Sequence, residues 1–338
     1  MAVLKGGVIG FGSTGQGMTE FINTRDDVKI IAACNRGADK LVLAREKYGL
    51  RTTHDAEELC NWKDIDFVLV VSTSYAHKEQ VVTAAKAGKH VFCEKPIALN
   101  LADADAMIEA VEKAGVINVV NYSIRYIDAY LKIKKMHEEG KFGDIMSIWT
   151  YRTRGWGLYG AGAPPHRAIV EPEESGGWTV HHACHDLDFV YWVNGRIKSV
   201  YGQQRSTFTA KESEEVVMAL LTFENGSMGW VGDSVCQLRD HYTGVIGTRG
   251  QIVLTGEGGH TVMRYRAEGE KQDTVIPARD RKRKGGGLDH FFECIQRETP
   301  SPISIRDARH SLACALSVQE SARTGKVVEV PPEPKRIK

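Results

Sequence analysis

The first 120 residues alternate short apolar runs with segments of helical period, and this alternation limits the possible folds more than any other feature of the chain. Strands that alternate with helices build βαβ units around a parallel sheet. Strands are predicted at 3–9, 28–34, 67–71, 90–93 and 116–120, with helices at 16–23, 39–48, 77–87 and 100–114 between them. We therefore predict a first α/β domain over residues 1–121.

The pattern changes after residue 121. Period-two runs at 145–153, 216–223 and 227–235 predict strands, and Asn225-Gly226 between the last two indicates a hairpin turn. Helices are predicted at 128–139, 287–297 and 305–324. With 338 residues the chain exceeds the usual size of one domain. We predict a second α/β domain over 122–338 with a mostly antiparallel open sheet.

The charge balance argues against a large polyanionic partner. Lys and Arg number 44 against 43 Asp and Glu, for a net charge of +1, so no overall field attracts nucleic acid or an anionic membrane surface. The basic run from Arg279 to Lys284, RDRKRK, is a local exception, and we expect it to be a solvated loop. We predict a small-molecule partner and no nucleic acid.

The seven cysteines are odd in number and contain no C-x-x-C pair, so neither a disulfide framework nor a zinc ribbon is expected. The N-terminus has no secretory pattern, and no stretch of 18 apolar residues occurs. We therefore expect a cytoplasmic protein in a reducing compartment, without a membrane span.

A glycine-rich motif stands between the first strand and the first helix. Its six residues are Gly10, Phe11, Gly12, Ser13, Thr14 and Gly15, which read G-x-G-x-x-G. In this context the first glycine makes a tight turn, the second lets the backbone approach a pyrophosphate, and the third lets the helix pack on the strand. We predict a dinucleotide site here.

The residues after the second strand bear on the choice of dinucleotide. An acid that binds the ribose hydroxyls is usual at this point, but Asn35 stands there, followed by Arg36. A neutral amide does not repel a 2′-phosphate, and Arg36 is able to pair with one. NAD and NADP both remain open, and Arg36 lying over the adenine or pointing to solvent is the alternative.

Further motifs resemble one known family. The segments Ser72–His77 and Ala87–Pro96 look like the TPxxxH and AGKHVxxEKP motifs of the glucose-fructose oxidoreductase, inositol dehydrogenase and MocA family. Asn121–Tyr126 and Gly176–Asp188 resemble its Asn/Arg segment and its GG…DxGxHxxD helix. Gly143-Asp144-Ile145 and Glu320–Lys326 match later landmarks, so the likeness runs nearly end to end.

The resemblance implies an NAD(P)-dependent oxidoreductase with an N-terminal Rossmann domain and a C-terminal sheet domain, often oligomeric through that sheet. Typical substrates are sugars, cyclitols or related polyols. Carried over residue by residue, it places Lys95 and His185 beside the reacting carbon. It assigns Ser72, Thr73, His77, Glu94 and Lys95 to the cofactor, and Asn121 and Arg125 to the substrate.

The chemistry of Lys95 and His185 suits these roles. Oxidation of a secondary alcohol needs a base for the hydroxyl proton, and reduction needs the same group as an acid. Histidine serves both directions near neutral pH. The ammonium group of Lys95, after a strand end, is able to bind the substrate oxygen and stabilise a developing alkoxide.

One position departs from the family pattern. The acid usual four residues before the motif histidine is replaced by His181, which shares a helical face with His185. We expect His181 to be catalytic as a proton relay. Asp188 either orients His185 or binds backbone. The histidine spacing also resembles a zinc site, but no H-E-x-x-H glutamate is present, and no metal is predicted.

The segment 149–192 is rich in aromatic and cationic side chains, which suit a hydroxyl-rich ring. Arg154, Trp156 and His166 are predicted to bind substrate together with His181 and His185. Arg152 or Arg154 is an alternative partner for an acidic substrate group such as a uronate.

The sequence thus predicts an NAD(P)-dependent dehydrogenase of a sugar, cyclitol or sugar derivative, assembled as a homodimer or homotetramer. Redox-neutral cleavage of a glycoside through a transient keto-sugar is an alternative within the same family. A non-catalytic NAD(P)-binding sensor is an alternative from another class.

Overall fold

The computed structural model describes residues 3–153, 171–206, 213–235, 240–257, 260–278 and 285–336. The described residues group into two units. The first contains the chain up to Asn121, Gly285–Arg309 and the residues from Glu333 onward, and the second contains Tyr122 to Ala278 and His310–Pro332. Each unit has one sheet.

The helices lie close to the predicted positions. In chain order they are α1 Ser13–Asn23, α2 Ala38–Tyr48, α3 Ala56–Asn61, α4 His77–Lys86, α5 Leu101–Ala114, α6 Asp128–Glu138, α7 Pro172–Ser175, α8 Cys184–Asn194, α9 Gly286–Arg297 and α10 Ile305–Thr324. Gly49 and Gly115 end α2 and α5 in the left-handed conformation, which glycine adopts without steric cost. The short helices α3 and α7 were not predicted; Asp55 caps α3 by accepting from the Glu57 amide.

The first unit holds a parallel sheet of six strands. They are β1 Leu4–Ile9, β2 Val28–Cys34, β3 Arg51–Thr53, β4 Phe67–Val70, β5 His90–Cys93 and β6 Asn118–Val120, in the spatial order β3-β2-β1-β4-β5-β6. All five neighbouring pairs are parallel. This is the Rossmann order, and the sheet reverses direction of growth between β1 and β4. The predicted Rossmann fold of the N-terminal domain is confirmed.

The C-terminal part of the chain returns to this unit. Phe291 and Phe292 of α9 pack edge-on against Phe67, with ring centroids 5.8 Å and 5.2 Å away. Both are fully buried, in one core cluster with Phe92. The predicted linear division into 1–121 and 122–338 did not include this return, because an amphipathic helix does not show in its sequence which sheet it covers.

The second unit holds a mixed sheet of nine strands. They are β7 Ile145–Thr153, β8 Ile197–Arg205, β9 Val216–Phe223, β10 Met228–Ser234, β11 Asp240–Gly247, β12 Gly250–Glu257, β13 His260–Ala267, β14 Thr274–Pro277 and β15 Val328–Glu329. Their order is β14-β13-β12-β11-β7-β10-β9-β8-β15. Among the strands that the structure describes in this sheet, β7 and β10 form the one parallel pair, so the predicted mostly antiparallel sheet is confirmed.

Residues alternate between a buried and an open face of this sheet. Along β9 buried and exposed side chains alternate strictly from Val217 to Phe223. The predicted hairpin joins β9 to β10, and Gly226 has a φ of 84°. Leu220 and Met228 on the open face are 62% and 65% exposed.

Within the ranges that the structure describes, none of the helices is both long enough and apolar enough to cross a lipid bilayer.

Candidate functional site

The predicted cofactor residues follow the carboxyl ends of four strands in the first unit, and Asn121, predicted to bind the substrate, follows a fifth. Parallel strands bring these ends to one edge of the sheet, where open α/β folds bind their ligands. The structure brings together at this edge Gly10–Gly15 after β1, Asn35 and Arg36 after β2, Ser72 and Thr73 after β4, Glu94 and Lys95 after β5, and Asn121 after β6.

The glycine turn forms a cradle that side chains would fill. Gly10 has a φ of +101°, and an added Cβ would lie 2.6 Å from the Ser72 amide nitrogen. At Gly15 a Cβ would lie 2.3 Å from the Gly10 carbonyl oxygen, so this glycine lets α1 pack on the turn. Gly12 is the N-cap residue of α1, and no side chain caps the helix there. A Cβ added to Gly12 would have no atom within 4 Å. An open helix N-terminus of this kind suits the pyrophosphate of a dinucleotide.

Asn35 is engaged with the same turn. Its Oδ1 accepts from the Phe11 amide at 3.0 Å, and its Nδ2 donates to the Gly37 carbonyl at 3.3 Å. Arg36 is exposed, and its guanidinium lies over the Tyr75 ring, 5.6 Å from the centroid, while donating to the Tyr75 hydroxyl. The amide therefore fixes the backbone of the glycine turn, and the cation stands beside it at the sheet edge.

His77 ties two of these strand ends together. Its Nδ1 lies 2.9 Å from the carbonyl oxygen of Pro96, and its Nε2 lies 3.2 Å from that of Ser72. The side chain is 1% exposed, and this burial lowers its pKa to about 4. His77 is thus a neutral residue, and because a neutral imidazole carries a single N–H, it donates to one of these two carbonyl oxygens while its other ring nitrogen lies beside the second. Its predicted contact with the cofactor stays a prediction.

The turn after β5 carries the Glu-Lys-Pro motif, Glu94-Lys95-Pro96. Glu94 Oε1 accepts from Asn121 Nδ2 at 2.6 Å, and Glu94 Oε2 accepts from the Lys95 amide at 3.2 Å. The Lys95-Pro96 peptide bond is cis. Glu94 therefore holds the backbone from which Lys95 projects, and it couples that backbone to the end of β6.

The second unit carries the two predicted catalytic histidines in consecutive elements: His181 lies on a π-helical turn, Thr179–Ala183, and His185 lies in the first turn of α8, which follows directly. Such turns are frequent at functional sites. His185 is 8% exposed and packs edge-on against Tyr122, with 5.9 Å between ring centroids. The His182 ring also packs against His185, at 5.8 Å and 66°. His181 is less buried than either, and its predicted relay role stays a prediction.

A buried charged cluster, which the sequence reasoning missed, lies beside these histidines. Arg152 of β7 pairs with Asp186 of α8 and lies 3.7 Å from Asp233 of β10. Burial alone lowers the pKa of Arg152, but the two carboxylates outweigh it and raise the pKa above its ordinary value. Charged residues at the buried positions of predicted strands were the available signal. The uronate alternative loses support at Arg152, whose guanidinium is engaged by Asp186.

Arg125 and Asp188 form a second buried pair. Arg125 donates through Nε and an Nη to the two Asp188 oxygens at 2.8 Å and 2.7 Å, and Ser311 donates to Asp188 at 3.0 Å. Two roles were predicted for Asp188: to orient His185 or to bind backbone. These contacts support neither role, because its carboxylate oxygens accept from Arg125 and Ser311. Arg125 as a substrate ligand stays a prediction.

Three of the predicted substrate residues, Arg154, Trp156 and His166, lie outside the described residues, as does the basic run from Arg279 to Lys284. Among the residues that are described, no group of three or more His, Cys, Asp and Glu side chains is arranged to hold a metal ion.

Two family models cover most of the chain. Residues 4–122 match the model described as an oxidoreductase family with an NAD-binding Rossmann fold, and residues 130–253 match the GFO/IDH/MocA C-terminal domain.

Individual relatives span nearly the whole chain. The chain is 27% identical to myo-inositol 2-dehydrogenase of Thermotoga maritima over 337 residues, which cover 96% of this chain and 98% of that one. It is 30% identical to 1,5-anhydro-D-fructose reductase of Ensifer adhaerens over 290 residues, 83% and 84% of the two chains.

Among solved structures, levoglucosan dehydrogenase in complex with NADH and L-sorbose superposes with a TM-score of 0.87 at 21% identity, over 98% of this chain and 100% of that one. This likeness extends to both units and shows the shared fold. The family models and the relative that is 30% identical lead to one conclusion: this chain belongs to the GFO/IDH/MocA family of oxidoreductases, with an NAD-binding Rossmann domain at its N-terminus.

Proposed function

We propose that the protein is an NAD(P)-dependent dehydrogenase that transfers a hydride between the nicotinamide and a secondary alcohol or ketone of a sugar, cyclitol or sugar derivative. The observation that carries the proposal is the common edge of the parallel sheet, where the open turn at Gly12 and the Glu94-supported Lys95 follow β1 and β5. The names of the relatives support a polyol substrate, since they act on inositols and an anhydro-sugar.

In this proposal the side chains of the protein bind the reacting oxygen and transfer its proton. When bound, the nicotinamide supplies the hydride acceptor or donor. Lys95 donates a hydrogen bond to the substrate oxygen and stabilises negative charge that develops on it. His185 takes the proton in oxidation and returns it in reduction. Glu94 keeps the Lys95 backbone in place through its contact with the Lys95 amide.

The remaining predicted residues serve substrate recognition in this proposal. Asn121 and Arg125, with Arg154, Trp156 and His166, are proposed to bind the hydroxyl-rich ring, and His181 to relay a proton to His185. Aromatic faces and planar cationic donors suit such a ring.

We propose that NADP is accepted as well as NAD. Asn35 brings no negative charge to the end of β2, because its side chain is a neutral amide bound to the Phe11 amide nitrogen. Arg36, exposed beside it over Tyr75, is available for a 2′-phosphate.

We also propose a homo-oligomer, a dimer or tetramer, that buries the open face of the second sheet. Leu220, Met228 and Met218 there are 62%, 65% and 41% exposed. The Trp149 ring lies over Gly244 and the Tyr151 ring over Gly232, since a Cβ at either glycine would lie 2.1 Å or 2.3 Å from the ring. The glycines flatten an apolar surface, and apolar surfaces of this kind commonly mark interfaces. We propose that a second copy of this chain covers the open face, as the family resemblance implies.

The experiment that tests the function follows absorbance at 340 nm for the purified protein with NAD and, separately, NADP. The panel contains inositols, aldoses, anhydro-sugars and glycosides, with released aglycone assayed in parallel. A substrate-dependent rise supports the dehydrogenase. Aglycone release without that rise favours redox-neutral cleavage, and NADH binding without turnover of any panel member favours the sensor.

Lys95→Met tests the catalytic role. Loss of the ammonium removes a hydrogen bond made to the developing alkoxide, so kcat/KM is expected to fall by at least about 10²-fold while NADH still binds. Lys86→Met, at an exposed lysine in the last turn of α4, is the control and leaves kcat/KM unchanged. Equal activity of Lys95→Met and the wild type contradicts the assignment.

A further inference from the structure

His182 is held on two sides by groups that are themselves fully buried. Its ring stacks on Trp178 with 4.3 Å between centroids and 7° between planes. Its Nδ1 lies 3.1 Å from Asp233 Oδ2. Both Trp178 and Asp233 are 0% exposed, and Trp178 Nε1 donates to the other Asp233 oxygen at 3.0 Å. The stack and the hydrogen bond fix both the plane and the rotation of the His182 ring.

Asp233 is in turn fixed by the sheet. It lies opposite Arg152 in the parallel pairing of β10 with β7, and the Arg152 guanidinium is 3.7 Å from it. Arg152 also pairs with Asp186, the residue directly after His185 on α8. The Arg152 guanidinium therefore links Asp233, the β10 residue that His182 contacts, to Asp186 on α8, the helix that carries His185.

We propose that His182, oriented by Asp233, is a positioning residue for His185. The proposal rests on the proposed function, in which His185 handles the substrate proton. The direct observation is the edge-on contact of the two imidazoles at 5.8 Å and 66°. Packing of the His182 ring against His185 restricts the rotation of the His185 ring, and catalytic groups need side chains whose rotamers are locked by packing in this way.

The hydrogen bond also sets the tautomer of His182. An ionised carboxylate only accepts, so the Nδ1 of His182 is protonated and donates the hydrogen bond that Asp233 Oδ2 accepts. In the neutral ring Nε2 then has a lone pair. The proposal therefore assigns His182 to the Nδ1–H form, which nitrogen chemical shifts distinguish from the Nε2–H form.

Asp233→Asn tests the proposal through two readouts. An asparagine Nδ2 donates where the carboxylate accepted, so we expect ¹⁵N imidazole shifts to show His182 moving to the Nε2–H form, with displaced His185 ring resonances. In the holoenzyme, kcat is expected to fall at least about tenfold with KM changed less than threefold. Unmoved His182 and His185 resonances, or an unchanged kcat, overturns the proposal.

Three further variants separate positioning from general loss of structure. Asp188→Asn removes a buried carboxylate of the same helix that binds Arg125 and Ser311, and it is expected to leave the His182 tautomer unchanged. His182→Asn keeps a donor near the place of Nδ1 and is expected to retain more kcat than His182→Ala. Equal loss in the two His182 variants contradicts positioning through Asp233.

The two readouts keep this proposal distinct from the proposed function. The imidazole shifts need no substrate, so they decide the orientation of His182 and His185 even if every panel substrate fails. If turnover is present and the shifts change while kcat does not, the dehydrogenase stands and the positioning role falls.

Discussion

Arg125 and Asp188 form a bidentate ion pair inside the second unit, with side chains only 2% and 0% exposed. Ser311 of α10 donates to the same carboxylate. The pair thereby joins the turn before α6, helix α8 and helix α10. Every charged oxygen of Asp188 has a donor, which is what makes a buried pair tolerable.

Breaking this pair is expected to be costly. Asp188→Asn leaves the Arg125 guanidinium buried without its counter-charge, which should lower the free energy of unfolding by about 3–5 kcal/mol. Urea denaturation followed by fluorescence measures it. Arg323→Gln breaks the exposed pair with Glu320 and is expected to cost less than about 1 kcal/mol. Similar losses in both variants would contradict a special contribution from the buried pair.

The open space at Gly12 gives a test of cofactor binding that does not depend on the substrate. Gly12→Ala meets no atom within 4 Å, so the fold should be retained. The methyl group occupies space where a pyrophosphate approaches the backbone, and NADH affinity should fall at least about tenfold. Titration of the purified protein with NADH measures it.

Gly17→Ala is the matched control for Gly12→Ala. Gly17 is an exposed residue in the middle of α1, and a Cβ added to it also meets no atom within 4 Å. Alanine there is expected to stabilise the helix by about 0.5–1 kcal/mol and to leave NADH affinity unchanged. Unaltered binding in both variants would place the dinucleotide elsewhere.

Asn35 is expected to control the preference between the two dinucleotides. Asn35→Asp keeps an oxygen that accepts from the Phe11 amide but brings a negative charge toward a 2′-phosphate. The ratio of kcat/KM for NADP to that for NAD should fall at least about tenfold, since a like charge at this range opposes binding. Arg36→Gln should lower the same ratio, and an unchanged ratio in both would exclude this part of the sheet edge from phosphate recognition.

The open sheet face is expected to determine the oligomeric state. Leu220→Glu together with Met228→Glu places two charges on the face proposed to contact a second copy. Burying them without partners is unfavourable, so light scattering after size-exclusion chromatography should show the monomer mass. Val42→Glu, at a 40% exposed valine of α2, is the control and should keep the wild-type mass. A monomeric wild-type protein would refute the assembly.

Local pattern predicted the elements well and their environment less well. The strands 28–34, 90–93, 145–153 and 216–223 occur at the predicted bounds, because alternation and glycine stops are local properties. The packing of α9 on Phe67 depends on residues far apart in the sequence, and so does the pairing of Arg152 with Asp186.

The histidine motif shows the same limit. Helical spacing predicted that His181 shares a face with His185, but it did not predict that the segment forms a π-helical turn or that the His182 ring packs against His185. Nothing in the local pattern distinguishes a π turn from an α turn. The acceptor that holds His182, Asp233, lies on a strand 51 residues away.

His77 should make the stability of the protein depend on pH in a defined window. Its burial lowers the pKa from 6.5 to about 4, so between these values the unfolded chain binds a proton that the folded protein does not. The contribution of the neutral His77 to the free energy of unfolding is therefore fully present above pH 6.5, and it is lost as the pH falls from 6.5 to 4. A difference of this size corresponds to about 3 kcal/mol.

The comparison of wild type with His77→Gln isolates this contribution. Carboxylates titrate in both proteins, so their effect cancels in the difference between the two urea-unfolding free energies. We expect His77→Gln to be less stable than the wild type at pH 7 and to lose less stability between pH 6.5 and pH 4.5. Parallel curves for the two proteins would mean that His77 accepts a proton in the folded state, and the neutral bridge between Ser72 and Pro96 would have to be abandoned.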